Sequence, residues 1–438
     1  MRASSPAGAL SRLATAAAPS LLLLTFLGRA AQNAGQTTYP LIGRDLLGMG
    51  NSSIGAVVAV AGLASVASST VVVGRLRRWD AAVLLAAGQA LGLAAFLLLA
   101  LPTGRPGLWL GAVGLGAGGG LVFPSLMTVI ASRTPGRRAK ALALMAVALS
   151  ISLVAGPLIE SGVLHALGGS LRTALGVMAV LPAGAVVLAV RAARQRPPTL
   201  PRRGAADRLP SRGTRPPADD PPSPEAPAPA DDPPPVPASA FRLALTVMLT
   251  YQVPFVALVG FGALLARQAD GLSAAGAEAA FAVFFGSSVL VRVLLVVATP
   301  RRRLRAVLVL SAAATVAGVA WLGLAHTLPE LLGAMAVLGV PHGTTFPLAS
   351  SILAEQAHLD GGHLARANGR LMAGTNAATV VVPFAYGALA AAFGYRGAFL
   401  LLEVPVGLAA ALLVAQLVSR HSPLRPPDGF KAPSLGGP

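Results

Sequence analysis

The sequence predicts an all-α integral membrane protein with twelve transmembrane helices in two six-helix pseudo-repeats. Three observations carry that expectation. The 438 residues are 54% hydrophobic and only 11% charged, with a mean hydropathy of +0.69, whereas a soluble domain carries about 25% charged residues. Apolar runs of about 20 residues recur from end to end, each long enough to cross a hydrocarbon core of about 30 Å. The basic residues alternate from loop to loop in the manner of an even number of crossings.

Taken in order, the apolar runs between turn and charge clusters fall near 19–42, 53–73, 81–102, 107–131, 141–164, 171–191, 241–266, 275–298, 306–325, 328–353, 370–393 and 397–418. The first needs a separate argument. Arg2 and Arg12 followed by Leu21–Leu27 resemble the start of a secretory signal peptide, but the segment continues through Ala31 to Ile42, longer than the apolar region of such a peptide. It is read as an uncleaved first span.

Of the 34 Lys and Arg, 27 fall in the two termini and the even-numbered loops, including Arg75, Arg77 and Arg78 after span 2, Arg133, Arg137, Arg138 and Lys140 after span 4, and Arg301, Arg302, Arg303 and Arg305 after span 8. The odd-numbered loops hold Arg44, Arg105, Arg172, Arg267 and Arg396. Cytoplasmic loops carry the positive excess, so both termini are expected to be cytoplasmic in a multi-pass protein of the cell (plasma or inner) membrane. The formal charge of +18 is thereby a topology signal, and nucleic acid is not an expected partner.

Residues 192–240 hold 15 of the 36 prolines and six of the 16 acidic residues, with almost no large apolar side chains. Such a stretch cannot bury a core and favours extended conformations. It is expected to be a disordered, Pro-rich cytoplasmic linker between an N-terminal six-helix half (1–191) and a C-terminal half (241–419), with 420–438 as a cytoplasmic tail. The halves echo each other: Gly116-x3-Gly120-x2-Phe123-Pro124 in span 4 recurs as Gly339-x3-Gly343-x2-Phe346-Pro347 in span 10, and Pro157 in span 5 matches Pro383 in span 11. Gly168 and Arg172 then fall near Gly394 and Arg396. Matches in the same order point to a parallel six-helix repeat. The glycines are suited to close helix contact, and the prolines to bends near helix breaks.

This arrangement resembles the major facilitator superfamily, and short motifs agree with it. Gly74-Arg75-Leu76-Arg77-Arg78-Trp79-Asp80 resembles the family's basic loop between spans 2 and 3, with the aspartate displaced to Asp80. Arg133-Thr134-Pro135-Gly136-Arg137-Arg138-Ala139-Lys140-Ala141 is similar to the loop between spans 4 and 5. Ala155-Gly156-Pro157-Leu158-Ile159-Glu160-Ser161-Gly162 is similar to the Gly-Pro element of family exporters, departing from it by placing Glu160 where a glycine is usual. The resemblance implies the family's fold and gives gating roles to Gly74, Arg75, Arg78, Asp80, Gly156 and Pro157. It also implies that spans 3, 6, 9 and 12 face lipid while the others line a cavity.

A transporter needs a polar path through an apolar body, and ionisable groups at bilayer depth cost about 3 kcal/mol or more unless they face a cavity or a partner. Arg29, Gln32, Asn33 and Gln36 recur at i, i+3, i+4 and i+7 in span 1, on one helical face. They are substrate-binding candidates, with interhelical packing as the alternative. Arg292 in span 8 resembles the arginine of organic-anion carriers in the family, or snorkels to the headgroups. His342 in span 10 is a substrate or proton-coupling candidate, because histidine titrates near neutral pH, or a packing histidine. Glu160 is a possible proton carrier or partner for Arg29, or lies near the outer interface. Tyr251, Gln252 and Asn376 offer neutral donors and acceptors suited to a substrate or to interhelical contact.

The chain has no cysteine, which excludes thiolate metal sites and cysteine nucleophiles, and it lacks GxxxxGK[ST], HExxH and GxSxG motifs. No catalytic residue, metal or cofactor is expected, and an enzyme is disfavoured. The expected activity is secondary active transport of a small, anionic or polar solute by alternating access, with protons as the simplest driving ion and a monomer as the working unit. The alternatives are efflux of drug-like amphipathic compounds on the same fold and a non-transporting membrane receptor or scaffold.

Overall fold

A computed structural model describes residues 19–75, 79–134, 138–195, 237–269, 271–298, 304–357, 370–372 and 374–419. The expected linker (but for 192–195 and 237–240), the tail beyond Ser419, and Arg78 lie outside the described residues. Those that are described form helices α1 Pro19–Leu41, α2 Asn51–Arg75, α3 Ala81–Ala100, α4 Gly104–Arg133, α5 Arg138–Ala166 and α6 Leu171–Arg194, then α7 Ala238–Ala269, α8 Ala274–Ala298, α9 Leu304–Leu324 and α10 Leu328–Ala357. A last continuous stretch, Ala378–Val418, is two helices, α11 up to Gly394 and α12 beyond it. Among the described residues, ten stretches are long and apolar enough to cross a membrane, counting α11 and α12 as one. α1 is not among them because Arg29, Gln32, Asn33 and Gln36 depress the hydropathy of an otherwise leucine-rich helix. Each of the twelve apolar runs read from the sequence overlaps one of these helices, ten stretches of which meet the length and hydropathy of a membrane crossing.

Local chemistry explains where the helices begin, break and turn. Asp80 caps α3, its carboxylate accepting a hydrogen bond from the Ala82 N–H at 2.8 Å, as N-terminal donors require. Glu330 accepts from the His326 and Thr327 N–H groups at 2.7 and 3.1 Å to start α10. α6 breaks at Ala179: Pro182 has no N–H to return to the Met178 carbonyl, one turn earlier. α1 leaves through a π-helical turn, Ile42–Leu46, just after Pro40. Gly394, at φ 70° and ψ 172°, lets the chain reverse between α11 and α12 in a conformation that side chains disfavour. Gly168, between α5 and α6, has φ 62°. The glycines matched between the repeats thus make matching turns.

The Gly-x3-Gly pairs also do the same work twice. A Cβ on Gly116 or Gly120 would run into the Ala61 or Ser65 carbonyl of α2, and one on Gly339 or Gly343 into the Phe284 or Ser288 carbonyl of α8. α4 lies backbone-to-backbone on α2, and α10 on α8, an approach that only glycine allows. Gly116→Ala is expected to destabilise the protein by about 1–3 kcal/mol, the range for overpacking, and to lower the midpoint of thermal unfolding in detergent.

The first six helices join through α3–α4, α2–α4, α1–α5 and α3–α6, the last six through α8–α10, α9–α10 and α7 with the α11–α12 stretch. Contacts between the groups run through α2–α11, α5–α8 and α1–α7. They concentrate toward the membrane face opposite the chain termini, here the distal face. There Arg267 at the end of α7 pairs with Asp45 after α1, Nε to Oδ2 at 2.7 Å. Asn51, opening α2, donates to the Ala390 carbonyl at 2.9 Å and accepts from the Tyr395 hydroxyl at 2.6 Å. Ser161 of α5 donates to the Ala275 carbonyl of α8 at 2.8 Å. From residue 33 to 43 everything but Gln36 is buried, and from 256 to 266 everything but Val259. Nearer the terminal face, Phe123 and Phe346 are about half exposed. The distal face is shut.

Candidate functional site

The central polar group is assembled by α1, α5, α7, α8 and α10. Arg292 of α8 donates from Nη1 to the Ser150 hydroxyl of α5 at 3.1 Å and from Nη2 to the His342 carbonyl of α10 at 3.3 Å. It thus ties the two six-helix groups together, its fork turned inward to Ser150 and the His342 carbonyl rather than out to the headgroups. Ser288, one turn earlier on α8, shares a hydrogen bond of 2.7 Å with Nδ1 of His342. The imidazole sits among the rings of Tyr251, Phe255, Phe284 and Phe285, at centroid distances of 5.0 to 5.6 Å. Arg29 and Arg292 both lie close enough to His342 to act on it electrostatically, and Arg292 likewise acts on Tyr251.

Two guanidinium groups, one from each six-helix group, therefore lie within electrostatic range of the same histidine. Neither has a carboxylate partner among the described residues. Arg29 donates to the side-chain oxygen of Gln32 at 2.9 Å; Arg292 donates only to neutral oxygens, and among the described residues its Nε–H has no acceptor. Cations at this depth need counter-charge, and the site as built withholds it.

The other expected residues divide. Gln32 turns from the centre onto Gly119 of α4, where its amide occupies the space a Cβ would take. Asn33 is buried, with its amide nitrogen unpartnered among the described residues, while Gln36, Gln252 and Asn376 are half-buried. Gly156 lies against the Ala30 carbonyl, so the Gly156-Pro157 element is where α5 crosses α1. Asp80 serves as a helix cap, and Gly74 and Arg75 end α2.

Glu160 is not the partner of Arg29. It is fully buried and accepts from the Thr38 hydroxyl, nine residues beyond Arg29 on α1, or about 13 Å along the axis. Its other neighbour is Glu278 of α8, also fully buried, which interacts with Glu160 and Thr37. Glu278, Ser150, Thr37, Thr38 and the three phenylalanines carry no distinguishing signal in the sequence. Glu278 sits five residues into α8, where an acid ordinarily meets solvent.

Comparisons with known proteins agree on the architecture. The family model described as Major Facilitator Superfamily matches residues 21–361 and 271–435. No curated protein sequence matches significantly. Among solved structures, the nucleoside transporter NupG superposes with a TM-score of 0.67 at 15% identity, covering 92% of this chain and 99% of that one. A POT family transporter in complex with 5-aminolevulinic acid gives 0.68 at 13%, covering 91% and 95%. A bacterial homolog of the human lysosomal transporter Spinster, inward-facing and unoccupied, gives 0.65 at 14%, covering 94% and 97%. At these identities the likeness is one of fold; the family match is what makes this a multi-pass membrane transporter rather than an enzyme. The chain belongs to the Major Facilitator Superfamily.

Proposed function

We propose that the protein is a secondary transporter of a small organic anion, working by alternating access between its two six-helix halves. The observation that supports this reading is the pair of arginines, Arg29 and Arg292, which act on His342 from opposite halves and have no carboxylate counter-ion among the described residues. A bound anion would complete that charge and bridge the halves. Hydrogen bonds involving a charged group contribute about 1.5–3 kcal/mol each, and a planar guanidinium fork matches a carboxylate. Tyr251 and His342 add neutral donors or acceptors, and the rings around His342 offer an apolar wall. Both termini are taken as cytoplasmic from the loop charges, which makes the present state closed to the outside. Proton coupling and a monomeric working unit belong to the same reading.

The test is transport by Arg29→Ala in proteoliposomes. KM for an anionic substrate should rise about 10- to 100-fold, the loss of roughly 1.4–2.8 kcal/mol of binding. Export of neutral amphipathic compounds that survives while no anion is carried at all would replace this reading with the efflux one. Absence of any solute flux with ligand binding intact would favour a receptor.

A further inference from the structure

We infer that Glu160 and Glu278 form a proton-binding latch, whose protonation lets the distal ends of the two halves close over the central site. The role assigned to the latch rests on the alternating-access reading above; its chemistry rests on the enclosure of the two acids and on their interaction. Glu160 comes from α5 and Glu278 from α8, and both side chains are fully enclosed. The Thr38 hydroxyl donates to one oxygen of Glu160. Its second oxygen and both oxygens of Glu278 have no partner in hydrogen-bond geometry among the described residues, although the carboxyls are near enough to interact.

Among the described residues, the surroundings contain no cation that could replace a proton. α1 presents Thr37 and Thr38; α5 and α8 present the two acids to each other. Arg267 of α7 is held by Asp45, and Arg44 donates to the Met49 carbonyl. Arg29 is two and a half turns away along α1. Two ionised carboxylates side by side in a dry interface are strongly disfavoured. The closed state therefore holds at least one proton on the pair: a hydronium ion of the distal solution gives its proton to one carboxylate oxygen, its own O–H bond breaks, and it leaves as water.

The same interface makes the pair a gate element. Ser161, the residue after Glu160, donates to the Ala275 carbonyl, just before Glu278. Parting α5 from α8 would break this contact and admit water to both acids. Hydration favours loss of the proton, and ionised carboxylates then repel across the opening. High distal pH should hold the face open, and low pH should let it shut.

The absence of native cysteine makes the test direct. Ala34 is fully buried and lies one turn from Thr38 on the same face of α1, so Ala34→Cys places a single thiol beneath the seal. The full-length protein in proteoliposomes is exposed to a membrane-impermeant maleimide on the distal side between about pH 5 and 9, with rates corrected for the intrinsic thiolate fraction. Corrected labelling of this parent should rise about 10-fold or more with pH, a population shift of at least about 1.4 kcal/mol. With Glu160→Gln or Glu278→Gln added, it should stay low and flatter. Where a glutamine variant does not purify as a monodisperse species, Thr38→Val removes the hydroxyl that favours the ionised form, and the labelling curve should move to higher pH.

An unchanged pH profile in these variants, or labelling governed by sodium rather than pH, overturns the latch. Thermal shifts of the parent with mono- and dicarboxylates separately report the anion site. A parent without anion response but with pH-gated labelling would sink the substrate assignment and leave the latch standing.

Discussion

Arg292→Glu is expected to reduce anion transport by about three orders of magnitude or more, with the protein still folded and inserted. Two effects add. The variant loses the fork that bridges Ser150 and the His342 carbonyl at 3.1 and 3.3 Å, and it sets a negative charge where the anion would bind. Removing a hydrogen bond to a charged group costs about 1.5–3 kcal/mol, and juxtaposed like charges cost several more. Together they exceed the roughly 4 kcal/mol that separates full activity from a thousandth of it. The new carboxylate would also face Arg29 across His342, closing the site on itself. Arg292→Lys keeps the charge but loses the planar fork and should fall in between. Initial rates of labelled-anion uptake decide the matter, with monodisperse elution confirming the fold. Undiminished uptake by the glutamate variant would remove Arg292 from the binding site.

The helices were legible in the sequence because crossing a bilayer imposes a length and a composition that little else imposes. α1 was legible for the opposite reason: its polar residues at helical spacing marked a face that could not be given to lipid. The repeat glycines could be read as contact points because a Gly-x3-Gly spacing sets two bare positions on one face. Neither signal says which helix lies opposite. Gln32 shares a face with Arg29, yet it rests on Gly119 of α4, since the face is wide enough to meet different neighbours along its edges. The approach of Arg29 to Arg292 depends on how two helices far apart in the chain cross, and spacing along either one does not encode that crossing.

Glu278 shows the limit most sharply. An acid near the start of a helix is ordinarily solvated and favoured by the helix dipole, so position alone gave it no distinction. Only the packing of α5 and α1 over it turns an unremarkable residue into a fully enclosed one. Glu160 stands out because it departs from a glycine in the resemblance, but a pairing with Arg29 follows from opposite charge alone. The geometry substitutes Thr38 and Glu278.

Gly62→Leu is expected to hold the distal face open and to slow transport about 100-fold, without unfolding either half. A Cβ at Gly62 would run into the Thr379 carbonyl of α11, while one at Gly55, about two turns earlier on α2, would lie 2.5 Å from the Pro383 carbonyl and 3.0 Å from the Gly387 Cα. These atoms belong to the opposite half, so the obstruction falls on the α2–α11 contact and leaves the packing of α2 on α4 alone. A leucine cannot be accommodated against backbone by a change of rotamer; the helices must separate. If the closed state is disfavoured by about 3 kcal/mol, the upper range for overpacking, the closed-to-open ratio drops roughly 100-fold. The Ala34→Cys reporter should then label rapidly from the distal side at every pH, the opposite of the glutamine variants at the latch. Low distal labelling in Gly62→Leu, together with slow transport, would mean that α2 and α11 do not separate in the cycle and that the halves move about some other contact.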